Sequence, residues 1–150
     1  MNKTLTISTL ILAFIGGFFI FYNPKTSPVL DQNNFSIDDI AQNLESKTDE
    51  QASITVTITP VDISPESKEW KFDVIMNTHS VELDQDLIQT ATLVDDTDRE
   101  HKPLNWEGSV GGHHREGILI FTPIKPLSQT LKLKISGIGE VERNFTWQIR

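Results

Sequence analysis

Residues 52–60 read Ala-Ser-Ile-Thr-Val-Thr-Ile-Thr-Pro. Ile54, Val56 and Ile58 fall on every second position, with Ser53, Thr55 and Thr57 between them. Successive side chains of a strand point to opposite faces, so this pattern buries one face of a β-strand and leaves the other in water. Pro60 has no amide donor and is expected to end the strand. The same period returns after the turn residues Ser64-Pro65-Glu66-Ser67, where Trp70, Phe72, Val74 and Met76 alternate with Lys71, Asp73 and Ile75.

Downstream the chain keeps to short extended pieces. Val81–Leu83 reads as a brief element and Ile88–Val94 as a strand, followed by a turn at Asp95-Asp96-Thr97-Asp98. Arg99–Trp106 reads as one returning strand, with Pro103 marking an edge or a bulge. Gly108–Gly112 is a loop, and Ile118–Thr122 is apolar on both faces, as suits a central strand. Leu131, Leu133 and Ile135 alternate with lysines and serine, and Val141, Arg143, Phe145, Trp147 and Ile149 complete the pattern. About seven short strands with regular turns and no helical period between them predict an all-β fold. The expected architecture is an immunoglobulin-like antiparallel β-sandwich over residues 52–150, preceded by one N-terminal transmembrane helix; a small antiparallel barrel is the alternative.

The transmembrane expectation comes from Leu5–Tyr22, eighteen residues without a charge. As an α-helix such a run rises about 27 Å, close to the roughly 30 Å of bilayer hydrocarbon. Residues 1–22 therefore read as a signal anchor. A cleaved signal peptide is the alternative, although no small-x-small site follows directly after Phe21-Tyr22-Asn23-Pro24. The expected placement is a single pass in the cell membrane through residues 5–22, with the C-terminal domain outside the cytoplasm. Residues 23–51 read as a linker: Pro24 and Pro28 stiffen its start, Phe35–Glu45 holds a possible short helix, and Ser46–Gln51 closes it with polar residues.

Charge and cysteine usage narrow the functions. The formal net charge is -8, and residues 51–150 carry ten Lys and Arg against fifteen Asp and Glu. A basic face that neutralises phosphates is missing, which argues against nucleic acid and against lying flat on anionic lipid. No cysteine occurs anywhere. Disulfides, a thiolate nucleophile and cysteine-based metal sites are excluded with it.

The segment Ala91-Thr-Leu-Val-Asp-Asp-Thr-Asp-Arg-Glu-His-Lys-Pro-Leu104, with Gly117-Ile-Leu-Ile-Phe-Thr-Pro123, resembles uncharacterised membrane-tethered immunoglobulin-like domains of prokaryotic cell surfaces. In those domains a strand ends in an Asp-rich turn, the chain returns through a Pro-containing strand, and a Gly-x-Leu-x-Phe strand follows. The likeness spans roughly residues 52–149 and implies the fold and an extracytoplasmic setting, with no catalytic residues. Asp98 stands where such turns usually have glycine, and Asp tolerates the left-handed conformation.

Chemistry-bearing residues concentrate in Gly111-Gly112-His113-His114-Arg115-Glu116-Gly117. His79 follows a strand end and, like His101, could meet this loop. His79, His113 and His114, with a carboxylate from Asp84, Asp86 or Glu116, form a candidate copper or zinc site. Adjacent strand residues face opposite ways, so His113 and His114 share a metal only if the glycines twist the chain. The alternative is a loop in which the glycines turn the chain and Arg115 pairs with a carboxylate. Asp96-x-Asp98-x-Glu100 offers oxygen ligands for calcium, or equally an Asx turn. A Gly-x-Ser-x-Gly elbow and a phosphate-binding loop are both missing. Trp106, Arg115 and Glu116 mark a possible binding surface. The sequence thus predicts a non-enzymatic, membrane-anchored module with a protein partner in the envelope and no cofactor; copper or zinc binding is the alternative.

Overall fold

The computed structural model describes residues 44–149. The apolar run at 5–22, the tether that follows, and all but the last two residues of the short helix expected at 35–45 lie outside the described residues. Among the described residues no helix is long and apolar enough to cross a membrane.

Among the described residues nine strands and one helical turn follow in order: β1 (Lys47–Gln51), β2 (Ile54–Asp62), β3 (Trp70–Thr78), α1 (Leu87–Thr90), β4 (Ala91–Val94), β5 (Glu100–His101), β6 (Asn105–Gly108), β7 (His114–Phe121), β8 (Thr130–Ile138) and β9 (Val141–Gln148). They form two antiparallel sheets with strand orders β1-β2-β3-β7-β6 and β5-β4-β8-β9. Lettered from β2 onward, these orders are A-B-E-D and C′-C-F-G, the Greek-key connectivity of immunoglobulin-like sandwiches, with β1 added outside A. The expected all-β sandwich is thus the observed one.

The period-two residues supply the core. Trp70, Phe72, Val74 and Met76 of β3 are fully buried, as are Val56 and Ile58 of β2, Leu119 and Phe121 of β7, and Leu131, Leu133 and Ile135 of β8. Phe72 meets Phe121 edge-on at 5.6 Å and Trp147 of the other sheet at 5.8 Å, separations typical of favourable aromatic pairs. This interdigitation takes the place of the inter-sheet disulfide that many immunoglobulin domains use and that a cysteine-free chain cannot form.

Four readings of the sequence are corrected. Pro60 does not end β2: it is buried opposite Phe72, and the ladder shifts only between Pro60 and Asp62. The strand expected from Ile88 begins at Ala91, because the Asp86 carboxylate accepts from Ile88 N at 2.9 Å and caps the turn α1. Val81–Leu83 is not a strand, although Leu83 is buried. Arg99–Trp106 is two strands in different sheets: β5 pairs β4 and β6 pairs β7. Pro103, which cannot donate to a ladder, sits where the chain crosses between them.

The polar stretch read as the end of the linker also forms a strand. Lys47–Gln51 pairs β2 from Lys47 opposite Ile58 to Gln51 opposite Ile54. The Thr48 and Thr57 hydroxyls meet across the pair at 2.9 Å. The stronger hold comes from the other sheet. Arg143, at an inward position of β9 and fully buried, donates to Asp49 Oδ1 at 2.7 Å, to the Gln51 carbonyl at 3.0 Å and to the Ile138 carbonyl at 3.3 Å. Trp147 of the same strand donates from Nε1 to the Glu45 carbonyl at 2.8 Å. Removing a buried guanidinium strands its acceptors and opens a cavity, so Arg143→Ala is expected to lower stability by about 3–5 kcal/mol. Asp49→Asn keeps the acceptor oxygen and should cost about 1–2 kcal/mol. Equilibrium urea denaturation checks both, and equal losses for the two variants would contradict the assignment.

Candidate functional site at the loop end

Three connections meet at the end of the sandwich where β3 finishes. Thr78 donates from Oγ1 to the Ser53 carbonyl of the β1–β2 hairpin at 3.0 Å, and its amide donates to the His113 carbonyl at 2.9 Å. Leu83 N donates to Gly112 O at 3.0 Å, and Gly112 N donates to the Glu82 carboxylate. Gly111 and Gly112 lie at φ +78° and +92°, a region open to glycine and strained for other residues. The 79–86 and 109–113 loops are therefore bound to each other along their backbones.

Arg115 braces them from inside. It lies opposite Met76 in the β3–β7 register and so points inward, where it is buried. Its donors reach three carbonyls: Ser109 at 2.8 Å, Leu83 at 3.3 Å and Gln85 at 2.6 Å. Burial lowers its pKa, and the carboxylates of Asp86 and Asp84 only partly offset that. The guanidinium lies 5.1 Å from the centre of the Trp106 ring, within cation–π range. Trp106 in turn lies across Gly108 and Gly117, which face each other in the β6–β7 pair. A Cβ on Gly117 would come within 2.5 Å of the Glu107 carbonyl and 2.8 Å of the indole. Arg115 and half-buried Trp106 are therefore part of the packing. This corrects the reading of Arg115 as surface, and its partners are carbonyls instead of the carboxylate expected.

The outward neighbours of Arg115 are His114 and Glu116. In the register Asn77 faces His114 and Ile75 faces Glu116, so these four side chains share the outer face of the sheet. With Ser109 and Arg115 they line a groove of about 300 Å³. Asn77 Oδ1 lies 2.8 Å from His114 Nδ1; an amide oxygen only accepts, so this bond needs the proton on Nδ1, and in the neutral ring Nε2 is then the acceptor.

His79 and the Gly-Gly-His-His loop lie at the same end, with the His79 and His114 rings edge-to-face at 6.0 Å. Yet among the described residues no three of His, Asp or Glu converge as metal ligands. His101 is elsewhere, on β5, with Nε2 3.1 Å from Asp95 Oδ2.

The acidic turn resolves into separate partners. Asp95 is buried and accepts from Thr97 N at 2.9 Å, Thr97 Oγ1 at 2.6 Å, Arg99 N at 3.1 Å and Arg99 Nε at 3.0 Å. Asp96 accepts from Gln129 N at 2.8 Å, Glu100 pairs with Lys134 at 2.9 Å, and Asp98 takes the left-handed φ of 60°. The three carboxylates considered for calcium thus serve a turn and its neighbours. Asp95 was missed as a residue of note: composition marks a turn but does not say which carboxylate is buried.

No known family matches the sequence, and no curated protein matches it. Solved structures with some likeness include a DUF4426 family protein from Pseudomonas aeruginosa PAO1, at TM-score 0.38 and 10% identity over 68% of this chain and 90% of the other. A secreted protein from Mycobacterium tuberculosis, MPT63, gives 0.41 and 11% over 69% and 92%. At these scores neither likeness bears on function, and the fold stands on the strand order and register above.

Burial alone would raise the pKa of Asp95, but the bonds from Thr97, His101 and Arg99 outweigh it and hold the carboxyl well below the usual carboxylate range. A depressed folded-state value means that the carboxylate stabilises the fold above its unfolded pKa of about 3.9, and that this contribution is lost as pH falls through the folded value. Asp95→Asn is therefore expected to lower the melting temperature by about 5–10 °C at pH 7. The gap to wild type should narrow as the pH is taken below about 3.9. Thermal melts across that range check it, and parallel curves would contradict it.

Proposed function

We propose that this protein is a membrane-anchored, extracytoplasmic immunoglobulin-like module that engages a protein partner in the envelope and catalyses no reaction. The observation that carries the reading is the eighteen-residue uncharged run Leu5–Tyr22 placed ahead of a β-sandwich, because a helix of that length matches the bilayer. The acidic balance of the folded part disfavours nucleic acid as the partner. The chemistry-bearing side chains also favour a non-enzymatic role. Arg115, Asp95 and His101 are committed to hydrogen bonds that hold loops and turns in place. His114 has its Nδ1 committed to Asn77. What remains open to solvent is a set of loops at one end of a sandwich, the arrangement that immunoglobulin-like domains use for recognition.

The cysteine-free chain makes a direct test available. In a Val110→Cys variant a membrane-impermeant maleimide should label intact cells, and the protein should stay with the membrane after alkaline wash. Release by the wash would overturn the anchor, and labelling only after lysis would overturn the extracytoplasmic placement.

A further inference from the structure

The groove on the outer face of β3 and β7 has a composition of its own. Its floor is Ile75, and its walls are Asn77, Ser109, His114 and Glu116. With Nδ1 donating to Asn77, Nε2 of the neutral His114 ring is an acceptor. Ser109 Oγ already takes the Glu116 amide at 3.2 Å and keeps a further lone pair. The Glu116 carboxylate is exposed, and among the described residues no lysine or arginine pairs with it. Arg115 adds to the lining, but its guanidinium is held on the inner face by the Leu83 and Gln85 carbonyls. Three acceptors therefore stand around an apolar floor, and the guest that suits them has several N–H donors on an aliphatic stem. At about 300 Å³ the groove is at the small end of ligand sites and takes one side chain.

The charge distribution says where such a side chain comes from. Glu82, Asp84, Asp86, Glu116 and Glu140 are exposed at this end of the sandwich, in or beside its loops. Lys47, opposite Ile58, Lys71, opposite Ile120, and Lys132, opposite Thr146, lie toward the other end. So do Lys68 and Lys125, in the β2–β3 and β7–β8 connections. Lys102, held on the Gln89 and Ala91 carbonyls, lies on the loop side, while Asp62, Glu66, Glu69, Asp96 and Asp98 accompany the lysines at the other end. The loop end is still the more acidic and attracts a basic surface, and Val110, 80% exposed at the tip beside Ser109, offers it an apolar contact.

We infer that this groove receives a lysine side chain presented by a basic segment of a partner protein. The ammonium binds Glu116, His114 Nε2 and Ser109 Oγ, and the butyl stem lies on Ile75. A guanidinium, planar and suited to bidentate pairing, fits three separated acceptors less well. The inference rests on the reading of the protein as an interaction module.

The test uses the full chain in detergent micelles and titrates it with a glycine-serine peptide carrying lysines. The same peptide with glutamates, and with arginines, serves for comparison. The lysine peptide should bind, more tightly than the arginine peptide, and the glutamate peptide should not. Glu116→Gln and His114→Phe should each weaken binding about tenfold, while Glu140→Gln, at the same end but on the β8–β9 turn, should change it less than about twofold. Equal weakening by Glu116→Gln and Glu140→Gln would overturn the groove in favour of diffuse attraction. Equal binding of the arginine peptide would overturn the choice of lysine. No lysine-peptide binding by a protein that is still anchored and labelled from outside would overturn this inference and leave the module reading standing.

Discussion

A guanidinium buried between two sheets sets conditions that much of this fold meets. Arg143 occupies an inward position in β9 where the period calls for an apolar side chain. A charge there is tolerated only with acceptors around it. Asp49 and the Gln51 carbonyl provide two of them, and both belong to the segment that leads into the sandwich. That is the physical reason a stretch with no apolar alternation becomes β1. The Trp147 indole extends the same seam to Glu45. β1 and β9 would otherwise be exposed edges of their sheets, and exposed edges invite pairing with other chains. Here side chains join them. The two hairpins at the end of the seam also interlock, since a Cβ on Gly139 would meet Ala52 and Ile54 at 2.9 Å.

A second inward arginine does the corresponding work for the loops. Arg115 binds the carbonyls of Ser109, Leu83 and Gln85, so one side chain holds both the 79–86 and the 109–113 connections. The bonds between Gly112 and the Glu82–Leu83 pair then fix their relative position. Loops held in this way would lose little further freedom on binding a partner of the kind proposed, and less ordering entropy leaves more of the contact energy as affinity. The outer face of β7 is shaped by the same residue. With Arg115 turned inward, His114 and Glu116 must turn outward, onto the wall of the groove.

The parts of the fold legible in sequence were those where burial follows period two. Ile54, Val56 and Ile58, then Trp70 to Met76, and later Leu131 to Ile135 announce both strand and inner face. Apolar composition misleads at Ile88, where a capping aspartate two residues earlier imposes a helical turn, and at Leu83, which is buried from a loop. Arg115 was opaque because a buried arginine and an exposed one look alike in sequence, and only the register shows which face it takes. Arg143 stands in phase with Phe145 and Trp147, so its face was legible but its acceptors were not. β1 was hidden because Lys47–Gln51 carries no apolar alternation, and Arg143, which holds it from the other sheet, lies 94 residues beyond Asp49 along the chain. The proximity of His79 to His114 could be guessed from a strand end and a glycine loop. That Asn77 fixes the tautomer of His114 depends on cross-strand pairing that no local pattern encodes.

If the seam is as described, the folded unit begins ahead of β1 and not at the first alternating strand. Equilibrium unfolding of a fragment starting at residue 44, beside one starting at residue 52, tests this directly. The longer fragment should unfold in one cooperative transition, and the shorter one, with Trp147 robbed of its acceptor and Arg143 left with only the Ile138 carbonyl, should be less stable by about 3–5 kcal/mol or fail to fold. Equal stability of the two fragments would contradict the account.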